Sequence, residues 1–385
     1  MGQIQILIIC GEASGDLAAA NLAKEILKIN PQIKIFGVGG KFLREASAEI
    51  YYDIKELAVF GLFDALRKLP KFFALKKLIL EKTEERKPDV IIFVDFSGFN
   101  LRLAKAIKNT IPTVYYISPQ VWASRRGRIK TIKEYIKKLL VIFKFEQEFY
   151  KKFGIDARFV GHPLLDIVGP TMEKKESLNK FHLHESKFTI ALLPGSRKSE
   201  IKQILPIMLK ASLFIHKEMG DVQFVIAKSP QIDWDVYRHK THGLKIDLKV
   251  IEGKTYDCLN IADFAFVCSG TATLETAIMQ KPFVVIYKMN LLNYLFYRPQ
   301  IKVPYISMVN IVANKLIVPE FIQFKAQPKK IADQVLKILN NPSQMERMKN
   351  DLAQIKSLLG EKGASSRAAK IVVDFIKETL PLKVL

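Results

Sequence analysis

Two α/β domains with parallel sheets, facing a central cleft and followed by C-terminal helices, form the fold class that this sequence predicts. Three observations carry it. The chain has 385 residues, more than one hydrophobic core usually serves. Short unbroken apolar runs, VIIFV at 90–94 and AFVC at 265–268 among them, read as strands buried on both faces. Each run leads into a small turn and then a helical pattern, and this unit recurs in two series. Between the series lies a polar stretch, DIVGPTMEKKESLNKFHLHESK at 166–187, where the boundary is expected. The domains are then 1–170 and 185–385, with the last helix a candidate to pack back on the first.

Hydrophobic residues make up 49% of the chain, enough for two cores, and no apolar run approaches the roughly 18 residues of a membrane span. The opening residues enter a strand directly, without a signal-peptide layout. Cys10, Cys258 and Cys268 form neither a metal spacing nor an even disulfide set, which points to a cytosolic protein with buried thiols. The net charge of +22 draws such a chain to polyanions: nucleic acid, anionic lipid or phosphorylated substrates. A lysine-rich proteome would raise the charge equally.

In the first series, the strand at 4–10 runs into GEASGD and a helix at 17–29. Glu12 and Asp16 would repel a pyrophosphate, so this turn is expected to meet sugar hydroxyls or a cation. The next strand, 34–38, ends in GVGG, where close backbone approach and a purely structural turn are equally open readings. Residues 57–80 place Phe60, Phe63, Phe72 and Phe73 among leucines and lysines at helical spacing. That pattern fits a helix lying in a membrane interface, or a core helix pair broken at Pro70 with snorkelling lysines. Asp95 closes the VIIFV strand. There it points into a ligand crevice, or caps a helix at 101–109. A strand at 113–117 leads into SPQVWAS, and Arg125, Arg126 and Arg128 begin a basic run to Lys138. The run is a contact for phosphate or anionic lipid, or a solvated helix face. Strands follow at 139–143 and 159–164, and His162 beside a proline reads as a structural hydrogen-bonder rather than a base.

The second series opens with the strand 188–193 and the turn Pro194, Gly195, Ser196, Arg197. An arginine there grips phosphate bidentately; a capped turn with solvated basic residues is the other reading. Strands at 222–227, 248–251, 265–268 and 283–287 come next. After AFVC, the turn Ser269–Gly270 and the helix 271–280 place Thr271 and Thr273 at a helix N-terminus, where backbone N–H groups and the dipole favour phosphate. Glu275, one turn in, is suited to ribose hydroxyls. The alternative is an ordinary capped turn. Helices at 328–339, 343–359 and 364–379 close the chain. Asp233-Trp234-Asp235 matches a metal-holding DxD pattern, but it follows a loop and reads as a helix start. No other metal-ligand cluster is present in the sequence.

Together the second domain offers sites for a diphosphate and a ribose, and the first offers Glu12 and Asp95. Nucleotide on one side and carboxylate on the other suit glycosyl transfer. Asp95, with Glu12 as the rival by the same geometry, takes the acceptor hydroxyl's proton while the other acid orients the acceptor, and Arg197 with the helix N-terminus stabilises the departing diphosphate without metal or other cofactor.

The ordered set GEASGD, GVGG, Asp95 before GFN, SPQVWA, GHPL, LLPGSR, SGTATLE and VNIVANKLIVPEFIQ resembles the lipid-A-disaccharide synthases over nearly the whole chain. The resemblance implies a GT-B-type inverting glycosyltransferase in the cytoplasm, peripheral on the inner membrane. It would move 2,3-diacylglucosamine from UDP to the 6-hydroxyl of 2,3-diacylglucosamine 1-phosphate. The resemblance also implies that Glu12, Asp95, Arg197 and Asn310 are needed for activity, that residues 57–80 with the basic run meet an anionic membrane surface, and it leaves a homodimer open. Ser124 stands where many members carry a second tryptophan, and Gly98 where some carry another acid. The alternative is a nucleotide-sugar enzyme that transfers nothing, such as a UDP-N-acetylglucosamine 2-epimerase. A nucleic-acid partner is not expected, since the chain has no base-stacking platform or recognition-helix motif.

Overall fold

The computed structural model describes residues 3–57, 69–301 and 303–379. The chain forms two compact units. The first runs to Asp166 and resumes at Leu359; the second takes the bulk of the chain between them.

The first unit is built on a seven-stranded sheet in the order β3-β2-β1-β4-β5-β6-β7. Its strands are β1 Gln5–Ile9, β2 Lys34–Gly39, β3 Glu49–Asp53, β4 Val90–Val94, β5 Thr113–Tyr116, β6 Lys138–Val141 and β7 Ala157–Phe159. All neighbours pair in parallel. Parallel sheets need cover on both faces, which is why the central strands are unbroken apolar runs. Every side chain of VIIFV is fully buried, each contributing about 1.5–3 kcal/mol of transfer free energy. The helix Ala13–Ile29 packs against β4 with an alanine-rich side, and its Leu22, Ala23 and Ile26 are fully buried. The helix Ala364–Thr379 packs against it within the same unit, with Val372 and Ile376 inward.

The second unit repeats the plan with six parallel strands in the order β10-β9-β8-β11-β12-β13. They are β8 Phe188–Leu193, β9 Val222–Lys228, β10 Asp247–Glu252, β11 Phe264–Cys268, β12 Phe283–Tyr287 and β13 Glu320–Ile322. In both sheets the order reverses once, between β1 and β4 and between β8 and β11. Such reversals open a crevice at the carboxyl ends of the strands.

Several expectations are corrected. The units divide at Asp166–Ile167, where the polar stretch 166–187 begins, and the rest of that stretch is structured within the second unit. Thr171 donates its N–H (2.6 Å) and hydroxyl (2.7 Å) to the buried Asp257, Met172 adds its N–H (3.0 Å), and Lys174–Lys180 is a helix. The first helix starts at Ala13, so GEASGD forms its first turn. Asp16 faces inward: its carboxylate accepts the N–H groups of Gly40 (2.7 Å), Phe42 (3.0 Å) and Leu43 (3.3 Å). GVGG is therefore a structural turn bound to Asp16, and Asp16 meets no sugar. β7 ends at Phe159, where a strand at 159–164 was expected to begin. Of residues 57–80, positions 58–68, with Phe60 and Phe63, lie outside the described residues. The remainder is one helix, Leu69–Arg86, with Pro70 in its first turn, where proline is tolerated.

Candidate active site

The register of β1 against β4, with Ile9 opposite Phe93, makes the two strands end level. Glu12 and Asp95 thus leave the sheet from neighbouring strands at its reversal point. Glu12 occupies the N-cap position of the first helix without capping it, and is exposed. Asp95 is half-buried, and its backbone is left-handed (φ 48), as is that of Phe96 (φ 48). Two consecutive non-glycine residues in this region carry strain of about 1–3 kcal/mol each. The surroundings hold them there. The Asp95 N–H reaches the Tyr116 carbonyl (3.1 Å), and its own carbonyl accepts from Asn100 Nδ2 (2.9 Å) and from the buried Tyr115 hydroxyl. The Phe96 ring stacks on Phe99 (5.2 Å between centroids) and lies over Gly11, where a Cβ would stand 2.2 Å from it. Gly11 is thus the residue that admits Phe96.

No side chain caps the helix Ser97–Ile107. Among the described residues, the Asp95 carboxylate takes the adjacent Phe96 N–H. Burial, reinforced by the charge of Glu12, pushes the Asp95 carboxyl up to about 6. Two carboxylates with unequal environments are a common basis for dividing acid–base roles.

The loop after β5 is pinned by a residue that the sequence did not reveal. Ser118 Oγ (3.0 Å) and Trp122 Nε1 (2.9 Å) both donate to Glu146, whose second oxygen accepts the Phe143 N–H (3.3 Å). Burial raises the Glu146 carboxyl to about 7. His162 is buried, its Nδ1 accepts the Leu164 N–H (3.2 Å), and desolvation lowers its pKa to about 3, so it is a neutral structural acceptor. Phe72 is half-buried, its ring 6.1 Å from Phe96 and 6.2 Å from Phe99. Of the described pair, only Phe73 points outward, 68% exposed. Phe72 thus turns part of its surface to the aromatic cluster of Phe96 and Phe99. Arg125 and Arg126 are exposed.

In the second unit, Leu193 opposite Val267 brings the ends of β8 and β11 level in the same way. Gly195 (φ 110) passes so close to Glu200 and Cys268 that a Cβ would stand 2.6 Å and 3.3 Å from them. Ser196 and Arg197 are exposed, and Glu200 accepts from the Arg197 guanidinium (3.0 Å) and N–H (3.3 Å), orienting the side chain. Beyond β11, Ser269 Oγ donates to the Ile306 carbonyl (3.4 Å). No side chain caps the helix Thr271–Ile278; Thr273 Oγ1 instead donates back to the Gly270 carbonyl (2.8 Å). Gly270 and Thr271 are exposed. The capped-turn reading therefore fails at this turn, and the positive helix end is available to an anion. Glu275 accepts the Tyr256 hydroxyl (2.9 Å) and is raised in pKa by burial. It lines a cavity of about 200 Å³ with Thr171, Lys254, Thr255 and Tyr256.

Asn310 does not offer its side chain to a ligand. Its Nδ2 donates to the Val318 carbonyl (2.9 Å) and Glu320 (2.9 Å), and its Oδ1 accepts the N–H groups of Ile317 (2.8 Å) and Val318 (3.0 Å). Glu320 also takes the N–H groups of Ile306 (3.0 Å) and Ser307 (2.9 Å). This knot holds the loop that receives Ser269. Asp233 sits at the start of the helix Trp234–Thr241 and pairs with Lys198 (3.8 Å). Among the described residues, no three His, Cys, Asp or Glu side chains group as metal ligands.

A family model described as lipid-A-disaccharide synthetase matches residues 6–375. The chain is 42% identical to the lipid-A-disaccharide synthase of Syntrophus aciditrophicus (strain SB) over 380 residues, covering 97% of this chain and 98% of that one. It is 37% identical to that of Myxococcus xanthus (strain DK1622), with 97% of each chain covered. For that of Coxiella burnetii (strain Dugway 5J108-111) the identity is 36%, covering 98% of this chain and all of the other. Among solved structures, a UDP-GlcNAc 2-epimerase from Neisseria meningitidis is similar at TM-score 0.64 and 14% identity, covering 97% and 100% of the two chains. The calicheamicin glycosyltransferase CalG4 is similar at TM-score 0.61 and 16% identity, covering 99% of each. At these identities the two structures bear on the fold alone.

Proposed function

The chain belongs to the lipid-A-disaccharide synthase family, and from that premise we propose how its residues divide the work. It is a glycosyltransferase of lipid A biosynthesis, with a GT-B-type pair of Rossmann-like units. It moves 2,3-diacylglucosamine from UDP to the 6-hydroxyl of 2,3-diacylglucosamine 1-phosphate, giving the β-1,6 disaccharide 1-phosphate and UDP.

One observation supports the assignment most: the sheet reversals of the two units carry complementary chemistry. The first bears two acids, one raised in pKa. The second bears an uncapped helix N-terminus, hydroxyls and an arginine. In our reading Asp95 removes the proton from the acceptor hydroxyl as it attacks the anomeric carbon, and Glu12 orients the acceptor. Gly195, Ser196, Arg197, Ser269, Gly270 and Thr271 surround the diphosphate, the buried Thr273 ties down the turn beneath them, and Glu275 takes the ribose. Charge gathers on the departing diphosphate, which needs no proton and is met by the helix end and Arg197. Asn310 acts at one remove, by holding the loop under Ser269.

The epimerase alternative shares the fold but not the family match. Product analysis with UDP-2,3-diacylglucosamine and 2,3-diacylglucosamine 1-phosphate separates them: a disaccharide and UDP are expected, and an isomerised nucleotide sugar with no disaccharide overturns the assignment.

Arg197→Ala removes a charge-assisted phosphate contact worth about 1.5–3 kcal/mol. UDP affinity measured calorimetrically should fall roughly tenfold or more. Unchanged affinity would remove Arg197 from the site.

We also place the protein at the cytoplasmic face of the inner membrane as a peripheral enzyme. No helix among the described residues is long and apolar enough to cross a bilayer. The exposed Phe73, the lysines of its helix and the exposed Arg125 and Arg126 support an anionic lipid contact. Phe73→Ser should weaken co-sedimentation with anionic vesicles roughly tenfold, the scale of one buried phenylalanine. Equal binding of variant and parent would place the contact elsewhere.

A further inference from the structure

Beside Asp95 lies a cation that the acid–base chemistry does not use. Arg128 opens the helix Arg128–Tyr135 and is half-buried. Its Nη1 donates to Ser97 Oγ (3.0 Å), and its Nη2 is 3.9 Å from where a Cβ of Gly98 would stand. Among the described residues no carboxylate pairs with it. Burial first, and then the like charges of Arg125 and Arg102, hold its pKa below the usual arginine range. A half-desolvated guanidinium facing two more cations is costly unless an anion completes the group. Ser97 also begins the helix Ser97–Ile107, whose N-terminus no side chain caps, so a helix dipole favours negative charge at the same place.

We propose that Arg128 and Ser97, with Arg102 and Arg125 at the rim, form the seat for the phosphate monoester of the acceptor sugar. This rests on the transferase reading above and specifies which end of the acceptor the first unit grips. The chemistry of the sugar fits the spacing. In a hexopyranose 1-phosphate the anomeric carbon and the carbon bearing the 6-hydroxymethyl group flank the ring oxygen, so phosphate and attacking hydroxyl project from one edge. Asp95 and Ser97, two residues apart, can then meet both. A guanidinium fork matches a phosphate bidentately, which a lysine does not reproduce. The seat also gives a reason why one diacylglucosamine serves as acceptor and the other as donor. Both carry a 6-hydroxyl, but only the acceptor carries a terminal monoester dianion; in the donor that phosphate is already esterified to the nucleotide.

The test compares two acceptors, 2,3-diacylglucosamine 1-phosphate and 2,3-diacylglucosamine, with the parent protein, Arg128→Ala and Arg128→Lys. For the parent, the phosphorylated acceptor should have the lower KM. In Arg128→Ala its KM should rise tenfold to a hundredfold, while the KM of the unphosphorylated acceptor and the affinity for UDP stay within about twofold. Arg128→Lys, which keeps the charge, should fall between them and remains informative if the alanine variant does not fold. Equal losses with both acceptors would overturn the proposal and make Arg128 a structural prop for Ser97. Absence of disaccharide from the parent protein with either acceptor would sink the transferase reading itself.

Discussion

Asp95→Asn is expected to cut kcat by about 10²–10⁴, the scale of losing a general base, and to leave UDP affinity nearly unchanged. The amide keeps the shape of the carboxylate, so the Phe96–Phe99 stack over Gly11 persists. What is lost is the lone pair that takes the proton. With the carboxyl raised to about 6, the parent enzyme should lose kcat as pH falls through that value, since the base is then protonated. The stability consequence has the opposite sign. A carboxyl whose folded pKa lies above its unfolded value binds more protons when folded, so Asp95 makes the fold less stable as pH rises from about 4 through 6. Asp95→Asn removes that effect and should be more resistant to denaturant at pH 7 than the parent. A turnover close to the parent's in Asp95→Asn, with a dead Glu12→Gln, would reverse the two roles.

Asn310→Ala should destabilise the second unit by about 3–5 kcal/mol. The substitution strands the N–H and the carbonyl of the buried Val318 and takes one partner each from the Ile317 N–H and Glu320, at about 1–3 kcal/mol for each unsatisfied group and with incomplete additivity. The loss should appear as an earlier urea transition of that unit, with UDP affinity falling as Ser269 loses its support. If Asn310 touches substrate directly, activity would drop with the urea transition unmoved.

The centre of each sheet was legible because strands covered on both faces must be unbroken apolar runs, and VIIFV or FTIALL leave little else to be. The acids at the strand ends were legible for a related reason: a carboxylate closing such a run sits where a reversed strand order opens the sheet. The edges were not legible. EIYYD, which forms β3, is half-exposed, and β13 has three residues. Neither shows the apolar run that marks its neighbours. Glu146 gave no local sign, since its partners Ser118 and Trp122 lie 28 and 24 residues away. The divide at Asp166–Ile167 was legible in the polarity of residues 166–187, but the ties of Thr171 and Met172 to Asp257, more than 80 positions later, were not. Asn310 came from resemblance alone, and the partners that take up its side chain, Ile317, Val318 and Glu320, left no local sign.

The return of the helix Ala364–Thr379 to the first unit sets the order of events on the ribosome. The sheet of that unit is complete once Phe159 has emerged, and domains generally fold as they are made, N-terminal first. Here the helix Ala13–Ile29 keeps part of its apolar side bare until Val372 and Ile376 arrive, after the whole second unit has been synthesised. A message cut short within the second unit yields a chain whose first unit lacks this cover, an open apolar surface that quality control can recognise.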